Sequence, residues 1–326
     1  MYRLIEVVIA KKDNEKIENI LNNRNILDYW REESYQDKII YKILTKTEYS
    51  QILIDRLQKN FSKDDRFRIV VLDVEATVPI EEKKSLKKIK ISREEIYSKI
   101  ISYSEINYIY VIMMILSTVI AAFGIISNNI PVIIGAMVIA PLLGPNIAIS
   151  FASVIGDVDL EKSAFKVLSA GVLIAFVFSF LIGLFYHLDI SNPQIISRVS
   201  LNVTEIVIAV ASGLAGVLAF TAGASESLVG VMVAISLLPP VVASGLLFAN
   251  ADYFYSLKSF MLFLENFVSL NLAGILMFTY QGIKAKNWWE EKKAKEHRKK
   301  AMFIWALLLL VLVLIIYLDR FYFEKI

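Results

Sequence analysis

Gly135-Ala-Met-Val-Ile-Ala-Pro-Leu-Leu-Gly-Pro145 returns ninety-five positions later as Gly230-Val-Met-Val-Ala-Ile-Ser-Leu-Leu-Pro-Pro240. Gly, Met, Val, Leu-Leu and the last Pro coincide without a gap. Each copy sits inside an apolar run long enough to cross a bilayer, and each carries helix breakers in its middle. Internal repeats with interrupted apolar segments are the best pointer in a sequence to a solute or ion site inside a membrane.

Working outward, the chain of 326 residues is 56% hydrophobic yet 21% charged, with a mean hydropathy of +0.55. Segregation reconciles these values. Lys, Glu and Asp crowd residues 1–100, residues 106–282 are nearly free of Lys and Arg, and a second charged block covers 284–300. A soluble domain followed by a membrane domain is expected. There is no cysteine, which removes disulfides, thiolate metal sites and thiol nucleophiles. The N-terminus lacks the pattern of a cleaved signal peptide.

Seven spans are expected, at 106–126, 131–154, 164–186, 205–222, 227–249, 259–281 and 301–319. Lys83, Lys84, Lys87, Lys88, Lys90, Arg93 and Lys99 precede the first. Lys284, Lys286, Lys292, Lys293, Lys295, Arg298, Lys299 and Lys300 precede the last. The opposite loops hold few cations, so both blocks are expected in the cytoplasm, with the N-terminus inside and the C-terminus outside. Three crossings per repeat unit make the second unit enter upside down. The expected class is therefore a polytopic α-helical membrane protein with an inverted 3+3 repeat and broken second and fifth helices. Asp157 matches Asp252 and Phe165 matches Phe260 at the same offset.

The first hundred residues read as strand 4–10, helix 13–23, strands 26–32 and 38–45, helix 48–61 and strand 68–78. That order, βαββαβ, predicts a cytoplasmic α+β ferredoxin-like domain over 1–80, serving as sensor or assembly module. A basic linker (81–105), repeat 1 (106–186), repeat 2 (205–282), a basic cytoplasmic linker (283–300) and a final span with a short outer tail (301–326) follow. Trp288 and Trp289 in the second linker read as interface anchors.

The pathway candidates begin with the breakers Pro141, Gly144, Pro145, Pro239 and Pro240. Unwound carbonyls and half-helix N-termini there can hold a ligand, or the breaks can simply kink helices for packing. Asn146, Ser150 and Ser236 line the same stretches. Glu265 with Asn266, Ser269 and Asn271 forms a polar stripe in the sixth span, serving either function or wetting near the outer surface. Ser225 and Glu226 lie in the turn before the fifth span, as ligands or as a helix cap. If a proton or sodium ion is coupled, Glu265 and Glu226 are the acids expected to carry it. Asp157, Asp159 and Glu161 read as a capped turn rather than a calcium loop, because the later ligands are missing. No nucleophile elbow, phosphate loop or zinc-protease motif is present, so neither an enzyme nor a cofactor or metal protein is expected.

The two quoted motifs, together with Ala222-Gly-Ala-Ser-Glu-Ser227, resemble those of a prokaryotic family, domain of unknown function 389, the uncharacterised hydrophobic domain membrane proteins. The resemblance spans about residues 100–285. It implies a multi-pass inner-membrane protein of bacteria or archaea and supplies no binding residues. The expected partners are the lipid bilayer, a small solute or ion and further copies of the chain as a homo-oligomer, with no nucleic acid. The expected function is a transporter or channel; a membrane-bound sensor or scaffold acting through its soluble domain is the other reading.

Overall fold

The computed structural model describes the chain apart from residues 1, 22–25, 35–37, 62–66, 75–92, 187, 201, 224–236, 284–287 and 324–326. Ser225, Glu226, Ser236, most of the first basic linker and the side chains of Trp288 and Trp289 therefore lie outside the described residues. The chain divides into two compact units, Met1–Ile96 and Tyr97–Ile326.

In the first unit, β1 (Tyr2–Ala10) alternates strictly, placing Ile5, Val7 and Ile9 on one face. Helix α1 (Asn14–Leu21), β2 (Ile26–Ser34), β3 (Lys38–Lys46), α2 (Thr47–Phe61) and β4 (Arg68–Val74) follow. The strands pair antiparallel in the order β2-β3-β1-β4, with Val7 opposite both Tyr41 and Ile69. Ile17 and Leu21 of α1 and Ile54, Leu57 and Phe61 of α2 close over that face. Element order and strand order are those of the expected βαββαβ sandwich. The buried Arg3 sits at the margin of this core against Asp73, with Nε 3.3 Å from its carboxylate. The last strand is described as far as Val74, and residues 75–78 of the expected strand lie outside the described residues.

Helix α3 (Arg93–Ser102) leads into the second unit. Its Tyr97 donates a hydrogen bond to Asp157 Oδ2 at 3.1 Å. Burial and that carboxylate hold the Tyr97 phenol above its ordinary pKa. Then come α4 (Tyr108–Ile126), α5 (Ile130–Ile139), α6 (Leu143–Ile155), α7 (Val158–Gly183) and the short α8 (Pro193–Val199). Helices α9 (Val203–Thr221), α10 (Leu238–Ala249), α11 (Tyr253–Tyr280) and α12 (Trp288–Phe323) complete the unit. Their starts have local causes. The side chains of Asn107, Asn129, Asp157 and Asn192 accept backbone amides from Tyr110, Val132, Leu160 and Gln194, and Pro131 and Pro193 fill first-turn positions.

Among the described residues, α4, α7, α9, α11 and α12 are long and apolar enough to cross a membrane, and α5 with α6, bent by 54°, forms a broken span or a re-entrant loop. This is a multi-pass membrane protein. Helix α10 has twelve residues, about 18 Å of rise against the roughly 30 Å of hydrocarbon, so it does not span alone. The rest of the expected fifth span lies outside the described residues.

Several boundaries differ from the sequence expectation. Helix α7 starts at Val158 because Asp157 caps it, so the acidic stretch is a capped first turn. Helix α11 starts at Tyr253, which takes Lys258 out of the presumed loop. The loop after the third span contains α8, whose Asn192 donates to the Ile125 carbonyl at the end of α4 at 2.9 Å. The second basic segment is no separate linker from residue 288 onward, because α12 is continuous through it.

Helix α12 docks through its basic half. His297 Nε2 lies 2.8 Å from Glu161 Oε2, and Ser153 donates to Glu161 Oε1 at 2.9 Å. Gly156, at φ +76°, lets the two backbones touch: a Cβ there would fall 2.7 Å from the Ala294 Cα. Gly156→Ala combines a left-handed alanine with that collision. The unfolding midpoint of the purified protein should fall, by an amount corresponding to about 1–3 kcal/mol; an unchanged midpoint would show that α12 does not bear on this turn.

Candidate functional site at the broken second span

The break has a direct cause in the chain. Pro141 disfavours the helical region for its predecessor, and Ala140 accordingly leaves the helix at φ −66°, ψ 120°. The chain re-enters a helix at Leu143, with no side-chain cap on its first turn. A cavity of about 330 Å³ opens at this bend. Pro141, Gly144 and Pro145 line it together with Ser102, Glu105 and Asn107 from the α3–α4 turn. Gly144 is required by geometry, because a Cβ there would sit 2.5 Å from Cγ of the Tyr103 ring. The bend therefore presents the unpaired carbonyls of the α5 end and the unpaired amides of the α6 start beside one partly polar space.

Asn146 and Ser150 do not line that cavity. They face α11, where Asn271 Nδ2 donates to Asn146 Oδ1 at 2.6 Å and Ser150 Oγ donates to Asn271 Oδ1 at 3.0 Å. Asn271 also donates to the Phe267 carbonyl at 2.9 Å. All three side chains are buried. This cluster ties the half-helix after the break to the long α11.

Pro239 and Pro240 occupy the first turn of α10, where the missing amide costs nothing. They do not line the cavity at Pro141. The Pro240 carbonyl accepts from Ser259 at 2.8 Å, and Ser256 donates to the Ser244 carbonyl at 2.8 Å. Glu265 and Asn266 lie in α11 and also stand apart from that cavity. Glu265 is 0% exposed, and neither carboxylate oxygen has a hydrogen-bond partner; the same holds for Ser269 Oγ. Asn266 is buried as well. The expected single stripe splits: Asn271 is rotated by about 120° from Glu265 around α11 and belongs to the α6 face, whereas Ser269 shares the face of Glu265.

A larger space, about 740 Å³, lies between α7, α10 and α11. Phe165, Phe176, Phe248, Phe260, Phe263 and Phe267 make it overwhelmingly apolar. Neither Tyr103 nor Ser259 stands out in the sequence; helix packing shows that they meet Gly144 and the Pro240 carbonyl.

These features coincide with a shared sequence family. The family described as Domain of unknown function (DUF389) matches residues 137–272, which run from the broken span to the polar part of α11. An uncharacterized protein of Methanocaldococcus jannaschii is 34% identical over 279 residues, covering 85% of this chain and 87% of its own length. The chain belongs to the DUF389 family. No solved structure matches it.

The DUF389 chain's polar cluster gives a direct test. Asn271→Leu strips buried Asn146 of its donor, so stability in detergent should drop by about 1–3 kcal/mol. Ser150→Ala, which removes one weaker bond, should cost about 1 kcal/mol or less by the same denaturant titration. Equal losses would mean that the cluster does not act through Asn271.

Proposed function

We propose that this protein is a transporter or channel that moves a small solute or ion through the membrane at its interrupted helices. The carrying observation is the bend at Ala140–Leu142, where Pro141, Gly144 and Pro145 line a cavity between two half-helix ends. Interrupted backbone at membrane depth is tolerated only where protein or water answers its polar groups, and it is the recurring device for binding solutes there. The transported species meets backbone carbonyls from α5 and the amide end of α6, with Glu265 setting the charge of the neighbouring helix. No chemical reaction is assigned.

An inverted repeat underlies this reading, supported by element boundaries at one offset. Helices α4 and α9 begin at 108 and 203 and end at 126 and 221. Helices α6 and α10 begin at 143 and 238, and α7 and α11 at 158 and 253. Left-handed residues recur at Asn128 and Gly223, and at Gly156 and Ala251. Close contacts exchange partners under the same shift: Gly274 needs its lack of Cβ beside Ser150, and Gly245 beside Ser179. With three crossings per unit the second unit enters upside down in this proposal, its motif around Pro239 and Pro240 taking the place of the one around Pro141. The seven spans, a cytoplasmic N-terminal unit that regulates or assembles the protein, an inner-membrane location and a homo-oligomer complete the proposal. The Lys and Arg blocks before the first and last spans support that orientation.

The first test is a thermal-shift screen of the full protein against inorganic ions, amino acids, organic acids and nucleotides, since a ligand of the folded state raises its stability. Hits are then assayed for flux in proteoliposomes. Pro141→Ala and Pro240→Ala should slow flux at least tenfold while leaving helix content unchanged, and deletion of the N-terminal unit should spare it. Normal flux in both proline variants removes the broken helices from the pathway.

A further inference from the structure

Helices α9 and α11 pack along each other in parallel. Gly213 meets Leu270 and Ala273, Val217 meets Gly274, and Gln281 donates to Thr221 Oγ1 at 2.8 Å. At the start of this seam stands Glu205, in the first turn of α9. Glu265 is wholly buried with both oxygens unpartnered, and Ser269, one turn further, leaves its own buried oxygen unpartnered. Leaving buried polar atoms unanswered is costly, and burying a lone charge more so.

The equivalent seam in the first half shows what a closed version looks like. There α4 and α7 pack with Tyr110, the position matching Glu205, donating to the Val167 carbonyl at 2.8 Å. Position 170, matching Glu265, is an alanine. One seam is thus neutral and hydrogen-bonded, while the other holds two carboxylates and an idle hydroxyl. The difference is chemical, because the helices of the two seams begin in register.

We infer that the α9–α11 seam is a binding site for one monovalent cation, a proton or a sodium ion, held by Glu265, Ser269 and Glu205. Both ions take carboxylate oxygen, and either removes the net charge of Glu265. A calcium ion would take about six to eight oxygens, more than this set offers, and no cluster of three or more acids or histidines occurs among the described residues. The other charged groups on elements packed against α11 include Arg198 of α8, whose buried Nε has no hydrogen-bond partner, Lys162 and Lys166 of α7, and Lys258 of α11 itself. Arg198 of α8, lowered to about 10 by burial, donates to Gln194 Oε1 at 3.0 Å. Lys258 lies 5.0 Å over the Phe254 ring. Helices α6 and α10 carry no ionisable side chain, and the charges of α12 precede Ala301 along its described face against α11. The inference deepens the transport reading by naming a coupling ion, although binding itself can be measured without any solute.

The experiment is the unfolding midpoint of the full purified protein, wild type against Glu265→Gln. One series replaces choline by sodium at constant ionic strength; the other varies pH without sodium. If sodium is the ion, it raises the wild-type midpoint and leaves the variant's unmoved. If the proton is the ion, the wild type gains on the variant as pH falls and loses that advantage as pH rises. Parallel behaviour of the two proteins in both series overturns the site, as does a response confined to magnesium or calcium. Glu205→Gln guards against a misfolded Glu265→Gln, because removing the like charge should change the cation response at least threefold; an unchanged response also overturns the site. A cation response without flux of any solute defeats the transport reading alone, and flux without a cation response defeats this site alone.

Discussion

A peptide group inside hydrocarbon must find its hydrogen-bond partner within the protein, and the membrane unit is organised around that constraint. Where helices stop, they stop at residues that answer the loose ends. Asn107 and Asp157 accept the first amides of α4 and α7, Asn129 does so for α5, and Gly156 turns the chain after α6 with its amide on the Ala152 carbonyl. Ser127 and Ala222 donate back into the helices they follow. The bend at Ala140–Leu142 has no such answer, and neither do the starts of α9, α10 and α11. At the bend the α6 side carries no side-chain cap, and Pro145 has no amide to offer. A cavity of about 330 Å³ opens beside it.

The same constraint explains why α6 is anchored so firmly. A half-helix freed from its predecessor has lost the stiffness of a continuous span, so other contacts must place it. The Asn146–Asn271–Ser150 cluster and the Phe151–Phe278 ring pair, 5.5 Å apart, fix it against α11. The glycine at 274 brings the two backbones close enough for both. Helix α10 uses another solution to the same problem, with Ser259 and Ser256 bonding to the carbonyls of Pro240 and Ser244. These serine bonds hold α10 against α11.

Much of this was legible in the chain. Alternation along β1 and β3 determined the face that the two helices cover, and the length of the apolar runs located the spans. Proline and glycine at 141–145 located the bend, because their effect is local. What failed to show was non-local. The 26-residue α7 and the continuous α12 depend on caps and docking partners that a hydropathy pattern does not contain. The α8 turn is short and polar, and only its bonds to the end of α4 make it a helix worth forming. Glu205 and Glu265 stand sixty positions apart, and nothing in either segment announces that they belong to one seam; only the parallel packing of α9 on α11 shows it. The split of the presumed stripe has the same origin, since Asn271 turns toward α6 while Glu265 and Ser269 turn elsewhere.

Two seams built alike but finished differently also bear on why the protein tolerates an unanswered carboxylate. If selection acted on stability alone, the second seam could have adopted the tyrosine–carbonyl bond of the first, a neutral group with its hydrogen bond made. Proteins break the rule of satisfied burial chiefly where function requires it, and the stability forgone there is recovered from ordinary packing. Around Glu265 that packing is ample, from Gly213 against Leu270 and Ala273 to Phe267 edge-on against Trp305 at 5.3 Å. A rigid, well-packed seam also suits a group that must exchange a small ion without rearranging its helices, since only the occupant changes. The bend and the seam share one structural link, the long α11, which touches α6 through Asn271 and carries the buried Glu265 six residues earlier.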